Sequence, residues 1–159
     1  MSSKKGILYG RSSWKEECRG GVYEKDKEGY FNDHKYEGEI ENEKPHGNGT
    51  WIQMDGGTYV GQFVNGQREG LGTFTWSEKS PQFGKVYEGE WKDNSPNGKG
   101  KIYYERGGDK KFEGMSWEGE FRNGKDWNVT IYSKDRSIFG EYKDGEIVDG
   151  EIVYDDLKD

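Results

Sequence analysis

Between Tyr59 and Trp76, aromatic residues and glycines alternate with polar ones in two runs separated by a break. The first run puts Tyr59, Gly61 and Phe63 on one face of a strand, and the second does the same for Gly70, Gly72, Phe74 and Trp76. The break, Asn65-Gly66-Gln67-Arg68, opens on Asn-Gly, a pair that accepts positive φ cheaply, so the stretch predicts a hairpin with 65–68 as its loop. That register sets Phe63 against Gly70, Gly61 against Gly72 and Tyr59 against Phe74. Each large ring then neighbours a glycine or another ring and lies flat over bare backbone. One such hairpin is marginal in water and needs neighbours.

The neighbours are internal copies. One begins Tyr36-Glu-Gly38-Glu-Ile40 and continues Gly47-Asn-Gly49-Thr-Trp51; another runs from Tyr87-Glu-Gly89-Glu-Trp91 to Gly98-Lys-Gly100-Lys-Ile102-Tyr-Tyr104. A fourth opens on Trp117-Glu-Gly119-Glu-Phe121, and a fifth on Ile138-Phe-Gly140-Glu-Tyr142, closing through Gly150-Glu-Ile152-Val-Tyr154. In the second strand of the fourth copy Asn128 and Thr130 stand at the glycine slots, which weakens the register there; Asp149 and Glu151 do so in the fifth. Extra residues fall between copies, at Glu78–Gln82 and Arg106–Lys111, and read as enlarged polar loops. Residues 1–35 are the least regular. Ile7 to Gly10, Trp14 and Gly20 to Tyr23 suggest a degenerate N-terminal repeat or cap, with Gly10 standing 28 residues before Gly38. The division is thus 1–35, then 36–154 as about five hairpins, then a polar tail, 155–159. The fold expected is all-β, an elongated single-layer antiparallel meander of consecutive hairpins.

Composition changes this picture in one respect. Hydrophobic residues make up only 29% of the 159 positions and charged ones 35%, a balance that usually signals disorder. Yet the chain holds 6 Trp, 11 Tyr and 7 Phe alongside 26 Gly, so it has an ordered but thin core of rings on glycines. The net charge of −7 argues against a nucleic-acid backbone or an anionic membrane as partner. Cys18 is the lone cysteine, which excludes an internal disulfide and, with no apolar leader after Met1, makes the cytoplasm the expected location.

The motif Tyr-x-Gly-x-(aromatic)-x-x-Gly-x-x-x-Gly-x-Gly, closely matched from Tyr36, Tyr59 and Tyr87 and partly from Trp117, resembles the MORN (membrane occupation and recognition nexus) repeat. The closing Phe139 to Gly150 is also similar to the last repeat in the N-terminal region of SET-domain lysine methyltransferases; nothing resembles their catalytic domain, so no activity is implied. The resemblance implies consecutive hairpins in one twisted sheet, and roles in protein binding, scaffolding, dimerisation or phosphoinositide binding.

Alternation gathers Tyr36, Ile40, Trp51, Tyr59, Phe63, Phe74, Trp76, Tyr87, Trp91, Ile102, Tyr104, Trp117, Phe121 and Tyr142 on one face. This is first a core, and in a single-layer sheet also a groove. Trp51, Trp76, Trp91 and Tyr104 are the candidate partner-binding residues. The opposite face carries Glu37, Glu39, Glu41, Glu88, Glu90, Glu118, Glu120 and Glu141, which successive copies are expected to stack into an acidic ladder, partly neutralised by Lys92, Lys99, Lys101, Arg122 and Lys143. Catalysis has no visible seat. His34 and His46 are isolated, Gly98-Lys-Gly100-Lys101 lacks P-loop spacing, and exposed glutamates lack the differing environments that separate an acid from a base. No cofactor or metal is expected. The reading is a non-catalytic protein-protein interaction module with an aromatic groove and an acidic face. The alternatives are a phosphoinositide module using Lys99, Lys101, Lys110 and Lys111, or the substrate-positioning accessory of a separate enzyme. The open sheet edges also invite pairing with a second copy.

Overall fold

The computed structural model describes residues 4–10, 13–105 and 110–149. Among these there is no helix, and eleven strands form one open antiparallel sheet in chain order. β1 (Lys4–Tyr9) is followed by five hairpins: β2 (Lys35–Glu41) with β3 (Lys44–Ile52), β4 (Thr58–Val64) with β5 (Gln67–Thr75), β6 (Lys85–Lys92) with β7 (Ser95–Tyr104), β8 (Ser116–Arg122) with β9 (Lys125–Tyr132), and β10 (Ile138–Lys143) with β11 (Glu146–Asp149). The meander expected from the alternation is the fold observed.

Each hairpin closes on two residues with positive φ: Asn42-Glu43, Asn65-Gly66, Asp93-Asn94, Asn123-Gly124 and Asp144-Gly145. Such paired left-handed residues make type I′ turns, whose twist matches that of the flanking strands. The second loop is therefore Asn65-Gly66 alone, shorter than the expected 65–68, and the register changes with it. Tyr59 faces Phe74 and Gly61 faces Gly72 as expected, but Phe63 faces Arg68, not Gly70. The difference is absorbed by a bulge on β5, where Gly70 takes φ +76°. Period-two counting cannot register extra residues of this kind.

The same bulge recurs in the first and third hairpins, between Gly38 and Ile40 and between Gly89 and Trp91, and each is closed from both sides. The first-strand tyrosine leans along its own strand and its phenol donates to a carbonyl three residues on: Tyr36 to Glu39 (2.5 Å), Tyr59 to Gln62 (2.8 Å), Tyr87 to Glu90 (2.8 Å). The side chain of that third residue turns the other way and accepts a backbone N–H from the bulged strand: Glu39 from Asn48, Gln62 from Leu71, Glu90 from Lys99. Groups that a bulge would leave unpaired are thereby satisfied.

The tyrosine rings account for the glycines. Gly6, Gly38, Gly49, Gly61, Gly72, Gly89, Gly100 and Gly119 form one continuous row across β1 to β8. A Cβ at Gly49, Gly72 or Gly100 would stand within 2.4 Å of the nearest atom of Tyr36, Tyr59 or Tyr87, closer than packed carbons ever come. These three rings are completely buried. In the fourth hairpin Trp117 replaces the tyrosine and has no hydroxyl to hold a carbonyl. The strand mismatch there is one residue smaller, and Val129 stands opposite Gly119, where Asn128 and Thr130 were the expected slots.

On the outer face the expected acidic ladder does not form. The rung through Glu37 reads Glu37, Thr50, Val60, Thr73, Glu88, Lys101, Glu118, Thr130, Glu141. Acids alternate with hydroxyls, an exposed valine and a lysine, because the second strands carry Thr or Lys where the first carry Glu. Cross-strand neighbours of opposite charge are the favourable arrangement.

At the N-terminal end one strand, β1, joins the sheet, and it is Gly6, not Gly10, that faces Gly38. Residues 13–34 form turns and two isolated bridges, Tyr9 with Lys15 and Lys25 with Phe31. Gly20 to Tyr23 contribute no strand. Glu78–Gln82 forms a loop between β5 and β6 as expected. Most of Arg106–Lys111, the closing run Gly150 to Tyr154 and the tail 155–159 lie outside the described residues.

Candidate functional site

The ring face is not uniformly open. Over the first two hairpins it is covered by the protein's own N-terminal segment and by one arginine. Trp14 packs edge-on against Tyr36 (6.0 Å between centroids) and His34 stacks on Trp51 (5.7 Å). Asp33, buried, accepts the backbone N–H of Arg19 at 2.9 Å and fixes the segment in place. Arg68 projects from the start of β5 into the row of rings. Its guanidinium lies 4.8 Å from the ring centroids of both Trp51 and Trp91, and 5.9 and 5.8 Å from those of Tyr59 and Phe74. The same group donates to the carbonyl of Asn94 at 2.8 Å. A cation on several ring faces with a hydrogen-bonded head is a strong local brace.

Arg68→Met keeps the apolar stem but removes the charge and its hydrogen bonds. It is expected to cost about 2 kcal/mol, the sum of one well-placed cation–π contact and one charged hydrogen bond. Arg68→Lys is expected to recover less than half, because an ammonium cannot span both tryptophans. Denaturant midpoints for the two variants check this. A midpoint for Arg68→Met equal to the parent's would show that the arginine merely rests on the rings.

Further along, the ring face opens. Between the third and fifth hairpins a cavity of about 840 Å³ is lined by Lys85, Ile102, Tyr104, Trp117, Arg122, Asp126, Trp127, Tyr142 and the turn residues Asp144 and Gly145, among others. Phe112, from the loop after β7, packs behind two of these rings, on Tyr104 (5.0 Å) and Trp117 (6.0 Å). Of the charged groups that line this space, burial shifts two. Burial lowers the Lys85 ammonium below the usual lysine range and raises the Asp126 carboxyl above the usual aspartate range, and each attracts the other's charged form. The Lys85 ammonium lies 4.7 Å above Trp76, and Asp126 makes no hydrogen bond or ion pair among the described residues. A cavity of about 420 Å³ beside Arg68 and a third of about 880 Å³ between β1 and the Asn42-Glu43 turn are the other openings described.

The four aromatic candidates thus separate. Trp51 and Trp91 are buried beneath Arg68, and the Trp91 indole also donates to the carbonyl of Gly72 (3.0 Å). Trp76 is half-buried and capped by Lys85. Tyr104 alone of the four lines the large cavity. Sequence reasoning passed over Arg68, Lys85 and Asp126, although a signal existed. The residue nine places after the first aromatic of each copy is Pro45, Arg68, Pro96 or Asp126, and each faces the last ring-row residue of its hairpin's first strand: Ile40, Phe63, Trp91 or Phe121. Two of those four carry charge into the ring row.

The MORN repeat family matches residues 36–58, 59–80, 87–109 and 117–125. The chain is 33% identical over 112 residues to Alsin of Rattus norvegicus, covering 67% of this chain and 7% of that protein. It is 36% identical over 87 residues to the ALS2 C-terminal-like protein of Bos taurus, covering 55% of this chain and 9% of that one. Human Alsin is 35% identical over 79 residues, 50% of this chain and 5% of its own length. The chain therefore spans less than a tenth of each of these relatives.

Proposed function

The chain belongs to the MORN repeat family, whose repeats commonly mediate protein or membrane interactions, and on that premise we propose that it is a non-catalytic module that binds a segment of another protein on its ring face. The observation that carries this is the cavity of about 840 Å³ between the third and fifth hairpins, where ring walls and a few charged groups meet. Over the first two hairpins Trp14, His34 and Arg68 already cover the rings of Tyr36, Trp51 and Trp91. A non-catalytic role fits the two charged groups of the cavity that burial shifts. Neither Lys85 nor Asp126 is hydrogen-bonded to a side chain that would hold it in a fixed catalytic geometry among the described residues. A lone, buried cysteine suits the reducing cytoplasm as its location.

Protein is favoured over lipid by the charge pattern. Lys101 stands between Glu88 and Glu118, and Lys99 faces Glu120 and donates its backbone N–H to Glu90, so the basic cluster is neutralised where a phosphoinositide would need it. Selection of a displayed random-peptide library against the whole chain tests the reading, with liposome flotation on neutral and phosphoinositide-containing vesicles in parallel. Peptides that compete with one another for a single site are expected, with both vesicle types bound equally poorly near physiological salt. An empty selection, or salt-sensitive vesicle binding abolished by Lys99→Glu with Lys101→Glu, overturns it.

A further inference from the structure

In the second hairpin an arginine fills the space between four rings; at the corresponding place in the fourth an acid stands beside an open cavity, and isoleucines hold two of the ring positions. In the second hairpin the residue facing Phe63 is Arg68, and its guanidinium occupies the space between Trp51, Tyr59, Phe74 and Trp91. In the fourth, the residue at the same place, facing Phe121, is Asp126. The walls correspond through the sheet register: Ile102, Trp117 and Ile131 face one another across β7, β8 and β9 as Trp51, Tyr59 and Phe74 do across β3, β4 and β5. Tyr142 also lines this space, but from a shifted register: it faces Val129, which holds the place of Gly72, whereas Trp91 faces Gly70. Where the arginine would lie there is the cavity of about 840 Å³, with Asp126 in its lining.

The geometry points to this cavity as a subsite for a cationic side chain, arginine by preference, supplied by the partner protein. Trp117 and Tyr142 offer ring faces to a guanidinium, and Asp126, which has no hydrogen-bonding or ion-pair partner among the described residues, offers a carboxylate suited to its planar fork. Of the other cations in the lining, Lys85 lies over Trp76 and attracts Asp126 without pairing with it, Arg122 lies over Trp127 at 4.3 Å and pairs with Glu120 at 3.1 Å, and Lys125 is exposed. The arrangement is a trans version of the contact that Arg68 makes in cis, and it rests on the reading of the ring face as a protein-binding surface.

The test uses the whole chain and two small probes, N-acetyl-arginine amide and its uncharged isostere N-acetyl-citrulline amide, followed by NMR of the tryptophan indole N–H signals. The arginine probe is expected to shift Trp117 and Trp127 in a saturable manner, at least ten times more tightly than the citrulline probe. Asp126→Asn is expected to remove that preference. Asp126→Arg, which fills the cavity from within, is expected to abolish probe binding and raise the melting temperature. Equal shifts from both probes, no shift at all, or an undiminished preference in Asp126→Asn overturns the subsite. The peptide selection separates the two claims. Enriched peptides that lack Arg and Lys and bind Asp126→Asn unchanged would remove the subsite and leave the binding module standing. Saturable binding of the arginine probe with an empty selection would do the reverse.

Discussion

Gly72→Val is expected to be among the most damaging single substitutions the sheet can suffer. The backbone at Gly72 is an ordinary strand conformation, so conformational freedom is not the issue. A Cβ there would stand 2.2 Å from the Tyr59 hydroxyl oxygen and 2.3 Å from the ring's Cζ, and that hydroxyl's bond to the Gln62 carbonyl closes the adjacent bulge. The ring cannot retreat, because Phe63 and Trp91 meet it edge-on at 5.1 Å each. Overpacking of a core typically costs about 1–3 kcal/mol, and displacing a fully buried, hydrogen-bonded ring belongs at or above the top of that range. For a chain of this size about 3 kcal/mol is a fall in melting temperature of roughly 6–12 °C. Thr73→Val, one residue along and on the outer face, is the control and is expected to stay within about 0.5 kcal/mol of the parent. Combining Gly72→Val with Tyr59→Ala should cost less than the two changes summed, since removing the ring makes room for the branch. Matching melts for Gly72→Val and Thr73→Val would show that the ring does not need the bare backbone beneath it.

The pairing of Tyr59 with Gly72 was legible because it is a local rule repeated: wherever a first strand carries tyrosine, the second carries Gly-x-Gly. The rule even marks its own exception, since Trp117 and the absence of glycine at 128 and 130 occur together. The bulges were not legible. Period-two alternation has no symbol for extra residues, and the Glu or Gln that follows each first-strand glycine reads as solvated surface until its carboxylate or amide is seen holding a backbone N–H of the bulged strand. The acidic face was misread for a related reason. Listing the first-strand glutamates ignores the second strands, and in the sheet Lys101 lies between Glu88 and Glu118. At the site, the aromatic composition of the groove could be read directly, but its coverage could not. Whether Trp51 or Trp91 meets solvent depends on where His34 and Arg68 come to rest, one from an irregular segment and the other from the first residues after a turn. Those contacts belong to tertiary structure.

The phenols that close the bulges also predict how the fold fails in alkali. Tyr36, Tyr59 and Tyr87 are wholly buried, and burial, the largest influence on each, pushes their ionisation up from the ordinary tyrosine value of 10.0, to about 12 for Tyr59. The hydroxyl of Tyr59 donates to a backbone carbonyl, and only the protonated phenol can do so. The same holds for Tyr36 and Tyr87. The folded state therefore binds the proton more tightly than the unfolded chain does. Stability from this source is complete below about pH 10, the unfolded value, and is lost as the pH rises through the folded values at about 12 and above. Because the three tyrosines sit in adjacent hairpins and share Phe63 and Trp91 as edge-on neighbours, their ionisation is expected to be cooperative with unfolding. Tyrosinate absorbance and the loss of strand circular dichroism should then rise together above pH 10 for these residues. Tyr23, also raised to about 12 by burial, is expected to follow the same transition. Changing Tyr36, Tyr59 and Tyr87 together to Phe should lower stability at neutral pH by roughly 1 kcal/mol for each lost hydrogen bond. It should also flatten the dependence of the denaturant midpoint on pH between 10 and 12, because most of the buried protons would be gone. Ionisation of all eleven tyrosines near pH 10 with the strand signal intact would mean that the phenols are not sealed beneath the ring row. The bulges would then have to be held by the Glu39, Gln62 and Glu90 side chains alone.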